Sequence, residues 1–396
     1  MDFSKVELSP EDQAFRERAR EFLDRTVTAE VLERAHRSGD GFVQDVHLAM
    51  GREGWLEPET KSAKVGGFTP VQRRIWDLER RRAKTPMVTW GATMMILQAV
   101  RQYGSPDLLA DIEPRIYRGE ALFAMGYTEP EGGSDVATCK TRAVRDGDGW
   151  IINGQKMFTS GVHNAHYIFL LTNTDPAGKR HRNLTMFLVP VDTPGIEIQA
   201  LRTVDGERSN ITFYGDVRIP DLYRVGDVND GWAVLSGPLA SEHGANDPAS
   251  HGLADITTMS NYGTTTATTA DNVAAAVSDD QHQVEPSAAL RLGRAIARIE
   301  AAQSTPGLYG RVAIAQTMRD TTPDLMDILG TPSALPSGAP GAIPAIEVEH
   351  LYRWAPLVGI YGGTIDVFRN MIAQYMLGLG KPRYSPPQPQ RVVGKH

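Results

Sequence analysis

The sequence is poor in cysteine, with Cys139 the single one in 396 residues. One thiol cannot close an internal disulfide, which favours a reducing compartment, with the cytoplasm as the default. Long apolar runs are also absent, since stretches such as 168–171 fall far short of the roughly 20 residues that a membrane-spanning helix needs. Residues 1–7 contain no apolar segment of the kind found in signal peptides. These absences predict a cytoplasmic protein without a membrane span or an export signal.

An excess of positive charge is absent as well. The 41 Lys plus Arg residues and 48 Asp plus Glu residues give a formal net charge of −7 at pH 7. Such a chain lacks the global positive field that attracts nucleic acid or anionic lipid, so neither is predicted as a partner. Apolar material is plentiful, because 41% of the residues are hydrophobic and 22% are charged. The length predicts two or three domains of roughly 150 residues each.

Three segments of different hydrophobic periodicity predict an α+β protein. Residues 1–120 are predicted to form an N-terminal helical domain, and residues 121–228 carry short β-branched and aromatic runs separated by turn sequences. Because the connections between these runs are short, the middle segment is predicted to be an antiparallel β-domain. Helical periodicity returns in residues 229–380, and residues 381–396 are predicted to form a proline-rich tail. The predicted strands cover 150–152, 167–171, 184–189, 196–198 and 211–214.

Single elements follow from the same patterns. Ser9 and Pro10 predict the start of the first helix, because a capping hydroxyl and a proline at the first helical position are typical of helix N-termini. The Thr- and Ala-rich segment 257–277 fits a loop or a weakly packed helix, and its composition leaves both open. The basic cluster at 79–84 fits a phosphate patch or, more commonly, a solvated helix face. Further helices are predicted at 232–243, 287–303 and 357–379.

The segment most informative about function is 127–135, Tyr-Thr-Glu-Pro-Glu-Gly-Gly-Ser-Asp. Its glycines allow the backbone to approach a flat or phosphorylated ligand closely, although such loops are more often structural. Residues 121–160 as a whole resemble the flavin-binding β-domain of the acyl-CoA dehydrogenase family. The resemblance rests on a TEPxxGSD loop, an INGxK turn and an FTS segment in this order. It extends over nearly the whole chain and is weakest between about 245 and 350.

This resemblance implies α,β-dehydrogenation of an acyl-CoA thioester with FAD as cofactor, on a fold of N-terminal helical domain, middle antiparallel β-domain and C-terminal helical bundle. The backbone of Tyr127 and Thr128 is implied to face the pyrimidine side of the flavin, and Ser134 its phosphates or the substrate. Phe158 stands where the family has an aromatic ring, usually Trp, against the flavin, and Ser160 where a hydroxyl reaches N5. Without the motif, ordinary core packing would be favoured for Phe158. The other implied cofactor-binding residues are Gly133, Thr159, Thr364 and Asp366.

Dehydrogenation of a thioester also requires a base that removes the α-proton, and a carboxylate is the usual choice. Many family members carry this glutamate in a Tyr-Glu-Gly-Thr sequence, where this chain has Tyr-Gly-Gly-Thr at 361–364. A second group carries it on the helix after the β-domain, where this chain has Glu242. The resemblance therefore implies Glu242 as the base, with a solvated helical glutamate as the alternative. His243 replaces the arginine that is usual next to it.

The region that would bind the FAD diphosphate departs from the family. Segment 257–277 has no arginine where one is expected, Asp327 replaces an amide, and Asp366 stands where Gln is common. An acid near a pyrophosphate is electrostatically unfavourable. The chain resembles the catalytic partner of bacterial relatives that shorten steroid side chains with two dissimilar subunits. An α2β2 assembly with a paralogous partner subunit is therefore predicted, with a homotetramer as the alternative.

The resemblance further implies an acyl-CoA substrate and an electron-transferring flavoprotein as the electron acceptor. Two rival functions stay open: a flavin oxidase or monooxygenase on the same fold, and a redox-inactive subunit that stabilises or regulates a catalytic partner. His163 and His166 are three residues apart, but no third ligand completes a site, so no metal is predicted. Small residues around Glu242 permit a bulky acyl group, such as a steroid side chain.

Overall fold

A computed structural model describes residues 7–242, 258–279, 285–343 and 346–380. The first helix begins as predicted, because Ser9 accepts a hydrogen bond from the Asp12 backbone N–H at 3.1 Å and Pro10 follows it. Its apolar residues, among them Phe22 and Leu23, are buried in the helical core. The helices before the sheet are α1 (Pro10–Thr26), α2 (Ala29–Ser38), α3 (Gln44–Arg52), α4 (Leu56–Thr60), α5 (Pro70–Arg82), α6 (Val88–Tyr103) and α7 (Pro106–Tyr117).

The basic cluster at 79–84 takes part in an ion-pair network that ties α1 to α5. Glu79 is buried and lies 2.6 Å from both Arg20 on α1 and Arg82 on α5. Arg80 reaches the buried Glu59 at 2.9 Å. Buried charges are tolerated when they are paired in this way. The prediction of a solvated helix face therefore holds only for Arg82 and Lys84, which are exposed, and is wrong for the buried Glu79.

The middle segment forms one mostly antiparallel sheet, with the order β6-β7-β3-β2-β4-β5-β8 and β1 beside β4. The sheet also has parallel pairings, since β1 runs parallel to β4 and β2 meets β4 in parallel at Arg142. The predicted strands are present, whereas β1, β2 and β8 were not predicted, because runs of two to five residues carry little periodicity. The strands are β1 (Phe123–Gly126), β2 (Arg142–Asp146), β3 (Gly149–Lys156), β4 (Tyr167–Asn173), β5 (Leu184–Pro190), β6 (Ile196–Arg202), β7 (Arg208–Pro220) and β8 (Arg224–Val225).

Helices return after the sheet as α8 (Gly231–Glu242), α9 (Thr258–Asp279), α10 (Pro286–Gln303), α11 (Gly307–Leu329), α12 (Val348–Val358) and α13 (Ile365–Met371). The Thr- and Ala-rich segment is thus a helix, α9, which packs on α10 and α11. The helix predicted from 357 to 379 is interrupted after α12, because Gly362 and Gly363 take φ angles of +60° and +93°. Glycine adopts this left-handed backbone without steric cost, so the chain turns before α13 begins.

This order of helices, sheet and helices confirms the predicted fold class of N-terminal helical domain, middle sheet and C-terminal helical domain. None of the helices described here combines the length and the apolar composition that crossing a membrane requires. His243 and the predicted tail 381–396 lie outside the described residues.

Candidate functional site

The loop 127–135 leaves the end of β1 and closes on itself. Glu129 and Gly132 exchange two backbone hydrogen bonds of 3.1 Å. Glycine is needed at position 132, because a Cβ atom there would lie 2.4 Å from the hydroxyl of Thr138. Because the Tyr127 ring is buried against Phe169, the loop offers its backbone rather than this ring to a ligand. Gly133 and Ser134 are exposed, as are Pro130, Glu131 and Asp135 of the same loop.

Segment 157–160 follows β3 and lies directly against this loop. The Met157 N–H donates a hydrogen bond of 2.8 Å to the Thr128 carbonyl. Phe158 has a φ of +55°, which is rare for a bulky residue, and 53% of its surface is exposed. The core-packing alternative for Phe158 is therefore wrong. The exposed ring is therefore accessible to a ligand, and its left-handed backbone is of the kind that often occurs at binding sites.

Strand β7 holds the rest of this segment in place. Thr159 is buried, and its N–H donates a 2.9 Å hydrogen bond to the Asn210 carbonyl. The hydroxyl of Ser160 lies 2.9 Å from that of Ser209, and either can be the donor. Ser160 remains exposed. A ligand lying on Phe158 would therefore meet a hydroxyl group that β7 has already oriented.

A buried ion pair beneath the site joins the loop to strand β3. Lys156 is fully buried, its Nζ lies 2.8 Å from Glu129 Oε1, and it donates to the Tyr127 carbonyl at 3.2 Å. Glu129 also accepts hydrogen bonds from the backbone N–H groups of Lys140 and Thr141. Although burial opposes its charge, Lys156 and these donors lower the pKa of Glu129 to about 2. The pair therefore holds an ionised carboxylate under the ligand-facing backbone at neutral pH.

The turn 361–364 connects α12 to α13. The buried Arg311 of α11 donates a 2.6 Å hydrogen bond to the Tyr361 carbonyl, and Thr364 caps α13 by accepting from the Val367 N–H. The left-handed backbone at Gly362 disfavours any residue with a Cβ atom. A glutamate at position 362 would therefore be strained in this turn.

Two acids singled out in the sequence, Asp366 and Asp327, form ion pairs within the C-terminal domain. Asp366, in the first turn of α13, is 89% exposed and pairs with Arg369 at 3.4 Å. Asp327 pairs with Arg291 at 3.0 Å, which offsets the negative charge that was expected to oppose a pyrophosphate. Glu242 is the last residue of α8, and its side chain lies outside the described groups.

Sequence reasoning missed three residues of this region. The sequence patterns contained Glu129 and Lys156 as motif letters, but their pairing across the loop was not predicted. Glu207, at the tip of the β6–β7 hairpin, carried no signal, because a glutamate in a turn resembles any solvated glutamate. No cluster of metal-binding side chains is found in the described ranges, and His163 instead contacts Asp40 at 2.9 Å.

Three family models match successive parts of the chain. The model of the acyl-CoA dehydrogenase N-terminal domain matches residues 9–120, the middle-domain model residues 124–218, and the C-terminal-domain model residues 281–377.

Two relatives come from Mycobacterium tuberculosis. Acyl-CoA dehydrogenase FadE29 is 36% identical over 62% of this chain and 64% of its own length, so the match spans just under two thirds of that protein. Acyl-CoA dehydrogenase IpdE1 is 31% identical over 82% of this chain and 84% of its own length.

Two solved structures resemble the whole chain. The Tcur3481-Tcur3483 steroid ACAD aligns with a TM-score of 0.79 at 28% identity, over 96% of this chain and 100% of that one. The ChsE4-ChsE5 complex from Mycobacterium tuberculosis aligns with a TM-score of 0.78 at 27% identity, again over 96% and 100%.

Proposed function

Because the chain belongs to the acyl-CoA dehydrogenase family, we propose that it catalyses the α,β-dehydrogenation of an acyl-CoA thioester with FAD as cofactor. The observation that carries this proposal is the hydrogen-bonded contact between loop 127–135 and segment 157–160, with Phe158 exposed beside it. An exposed aromatic face next to backbone donors suits a flat ring. Bound FAD would accept the hydride that leaves the β-carbon of the substrate.

In this proposal, the residues of the site hold and orient the flavin. The backbone of Tyr127 and Thr128 faces the pyrimidine side, Phe158 covers one face of the ring, and Ser160 supplies a hydroxyl beside N5. The buried ion pair beneath the loop keeps this backbone in place. The remaining proposed contacts are made by Gly133, Ser134, Thr159, Thr364 and Asp366.

We assign the removal of the α-proton to Glu242. This glutamate ends α8, a helix that packs against α6 and β5. The alternative family position is filled by Gly362, whose left-handed backbone disfavours a glutamate. A carboxylate beside an apolar acyl chain has a raised pKa, which suits it to take a proton near neutral pH. The proton would pass to the Glu242 carboxylate while the β-hydrogen leaves toward the opposite face of the substrate.

Anaerobic turnover tests the proposed reaction. The purified protein is incubated with saturated acyl-CoA thioesters and an electron-transferring flavoprotein or an artificial acceptor, and the products are analysed by mass spectrometry. A dehydrogenase gives an enoyl thioester, with the loss of two hydrogens, and needs no oxygen. Oxygen consumption that matches product formation would instead establish the rival oxidase function. Failure to convert any thioester, in a fully flavinated protein, would contradict the proposal.

Phe158→Ala is expected to weaken FAD binding by about tenfold, because an aromatic contact is worth roughly 0.5–1.5 kcal/mol and 1.4 kcal/mol is tenfold in affinity. The thermal stability of the cofactor-free protein should change little, since half of the ring surface is exposed. Flavin fluorescence quenching measures the dissociation constant, and Phe158→Trp, which keeps an aromatic face, is the matched control. Equal affinity in all three proteins would show that the ring does not contact the flavin.

We further propose that the acyl group is bulky, in the class of steroid side chains, and that the active protein pairs with a second, related chain. Both proposals are supported by the similarity to the steroid ACAD and to the ChsE4-ChsE5 complex. The end of the C-terminal domain presents apolar side chains that suit a partner surface. These are Ile360, Tyr375, Met376, Leu377 and Leu379, which are 49–74% exposed.

The purified chain alone is expected to bind FAD at least about tenfold more weakly than the same chain co-expressed with a related partner, a difference of about 1.4 kcal/mol. The physical reason is that part of the diphosphate site would come from the partner. Flavin content after gel filtration, with each chain also purified alone as a control, measures the effect. Full flavin occupancy and turnover by this chain alone would contradict the mixed assembly and favour the homotetramer.

A further inference from the structure

The tip of the β6–β7 hairpin, residues 203–207, is fixed at the meeting point of all three parts of the fold. Arg353 of α12 donates a 2.8 Å hydrogen bond to the Val204 carbonyl. The Arg208 N–H donates at 3.1 Å to the Gly39 carbonyl, in the loop after α2. Contacts from both helical domains therefore hold the tip in one position.

The two acids of the tip have different surroundings. Asp205 is buried, and its Oδ1 accepts hydrogen bonds from the Thr203 hydroxyl and from the Glu207 N–H. The carboxyl of Glu207 has neither a hydrogen-bond nor an ion-pair partner in the part of the chain that the structure describes. Glu207 is an exposed residue, and desolvation by the neighbouring residues together with the charge of Asp205 raises its pKa to about 7.

Glu207 lies on the same strand face as the site. The backbone hydrogen-bond pairing of β6 with β7 extends as far as Glu207, because the Thr203 N–H donates to the Glu207 carbonyl at 3.0 Å. Residues two apart in a strand share a face and lie about 7 Å apart, so Glu207 is next to Ser209 on this face. Ser209 contacts Ser160 at 2.9 Å. Glu207 is therefore one step along the strand from Ser209, whose hydroxyl contacts that of Ser160, the group that the proposed function places beside the flavin.

The charge of Glu207 also acts on two tyrosines of the C-terminal domain. Burial is the main cause that raises the pKa of Tyr361 and of Tyr262, and the charge of Glu207 adds to it at both. The two tyrosine hydroxyls are hydrogen-bonded to each other, and Trp354 Nε1 donates to the Tyr361 hydroxyl at 2.8 Å. Glu207 thus acts electrostatically on Tyr361 of the turn 361–364, while Ser209, two residues along the chain, contacts Ser160.

We propose that Glu207 is a positioning residue that sets the electrostatic potential of the cofactor site, so that its ionised carboxylate opposes the reduction of a flavin bound between Ser160 and the turn 361–364. The inference rests on the proposed function. Reduction makes a flavin more electron-rich, so a negative charge nearby disfavours it while a neutral carboxylic acid does not.

Among the described residues, no cation pairs with the Glu207 carboxyl. Arg202 donates to the Ser38 and Gly206 carbonyls, and Arg208 donates to Asn210 at 3.3 Å. Asp205 is held by donors of the tip, and Arg353 of α12 is engaged by Glu349 at 2.5 Å. Burial lowers the pKa of His350, which leaves it neutral near pH 7. Tyr262 and Tyr361 keep their protons because their pKa values are raised. Within the part of the chain that the structure describes, ionisation of Glu207 therefore adds a negative charge near the proposed flavin site as the pH rises through about 7.

The reduction potential of the bound flavin tests this proposal by spectroelectrochemistry at pH 5.5 and pH 8.5. Glu207→Gln keeps the shape of the side chain but cannot ionise. Glu197→Gln removes the same charge from an exposed position farther along β6 and is the matched control. All three proteins are expected to agree at pH 5.5. At pH 8.5, Glu207→Gln should have a more positive potential than both the wild type and Glu197→Gln.

Thermal unfolding of the cofactor-free proteins tests the ionisation of Glu207 separately. Its pKa in the folded protein is higher than in an unfolded chain, so folding is disfavoured increasingly as the pH rises toward and through about 7. The melting temperature of Glu207→Gln relative to the wild type should therefore rise between pH 5 and pH 8. A constant difference would overturn the proposal, since Glu207 would then not change its charge in this range.

The remaining outcomes separate the inference from the proposed function. A fully flavinated Glu207→Gln protein whose potential equals that of the wild type at both pH values overturns the inference alone. A wild-type protein that takes up no FAD, alone or with a partner chain, refutes the proposed function, and the inference fails with it.

Discussion

Glu242→Gln is expected to lower the turnover of acyl-CoA by about 10²–10⁴-fold, the contribution that a positioned general base makes to a proton transfer. The amide has nearly the same shape as the carboxylate but cannot take up the α-proton. FAD content and substrate affinity should stay close to those of the wild type, because neither depends on this proton transfer. Rapid mixing of the flavinated protein with substrate measures the loss directly, as slower bleaching of the flavin absorbance.

Glu300→Gln is the matched control for this prediction. Glu300 is an exposed glutamate on α10, so the same chemical change there should leave turnover unaltered. Unchanged turnover of Glu242→Gln in the assembled complex would contradict the assignment of the base and favour the rival function of a redox-inactive subunit.

Lys156→Met is expected to destabilise the protein by about 3–5 kcal/mol, because removing one partner of a buried ion pair leaves the other charge uncompensated. The orphaned carboxylate would be that of Glu129, which lies directly under the loop that we propose holds the flavin. FAD affinity should therefore fall together with stability. Urea unfolding of the cofactor-free protein and flavin fluorescence quenching measure the two effects.

Lys140→Met is the control, since Lys140 pairs with Glu131 at the surface and both side chains are 68% exposed. Its effect should be within about 0.5 kcal/mol, as for most exposed charges. The double variant Lys156→Met with Glu129→Gln should recover part of the lost stability, because it removes the unpaired charge. A Lys156→Met protein as stable as the control would show that the pair contributes nothing to the site.

The same ion pair has a defined pH dependence. The pKa of Glu129 in the folded protein is lowered to about 2, below its value in an unfolded chain. The stability that its ionised form contributes is therefore present above about pH 4.5 and is lost as the pH falls toward 2. In Lys156→Met the pH dependence of stability is expected to have the opposite sign. Stability should rise as the pH falls, because acid would neutralise the orphaned Glu129 carboxylate.

Much of the fold was predictable, because helices and strands depend on residues close together in the chain. The start of α1 at Ser9 and Pro10 follows from capping, and strands β3 to β7 follow from β-branched and aromatic runs separated by turn sequences. The break at Gly362 was missed, since the apolar spacing continues across it and only the backbone angles reveal the turn. The sequence did not decide whether the α9 segment is a loop or a helix, because packing on α10 and α11 decides whether a weak helix forms.

The candidate site, like the fold, was predictable from the sequence only in part. The motif letters of loop 127–135 and of the segment around Phe158 pointed to a flavin site, since the short loops that contact a ligand are continuous in sequence. The strained and exposed state of Phe158 became visible only in three dimensions. The role of Glu242 remains a prediction from resemblance, because its side chain lies outside the described groups.

The sequence by itself determined the family, the order of helices and strands, and the short segments that carry the motifs. Only the tertiary structure decided which charges are paired and which are alone. Lys156 meets Glu129 across 27 residues, whereas Glu207 has no partner among the described residues and lies near the tyrosines of distant helices and turns. The reason is physical: burial and pairing depend on contacts between remote segments, and these same contacts set the pKa values on which the site depends.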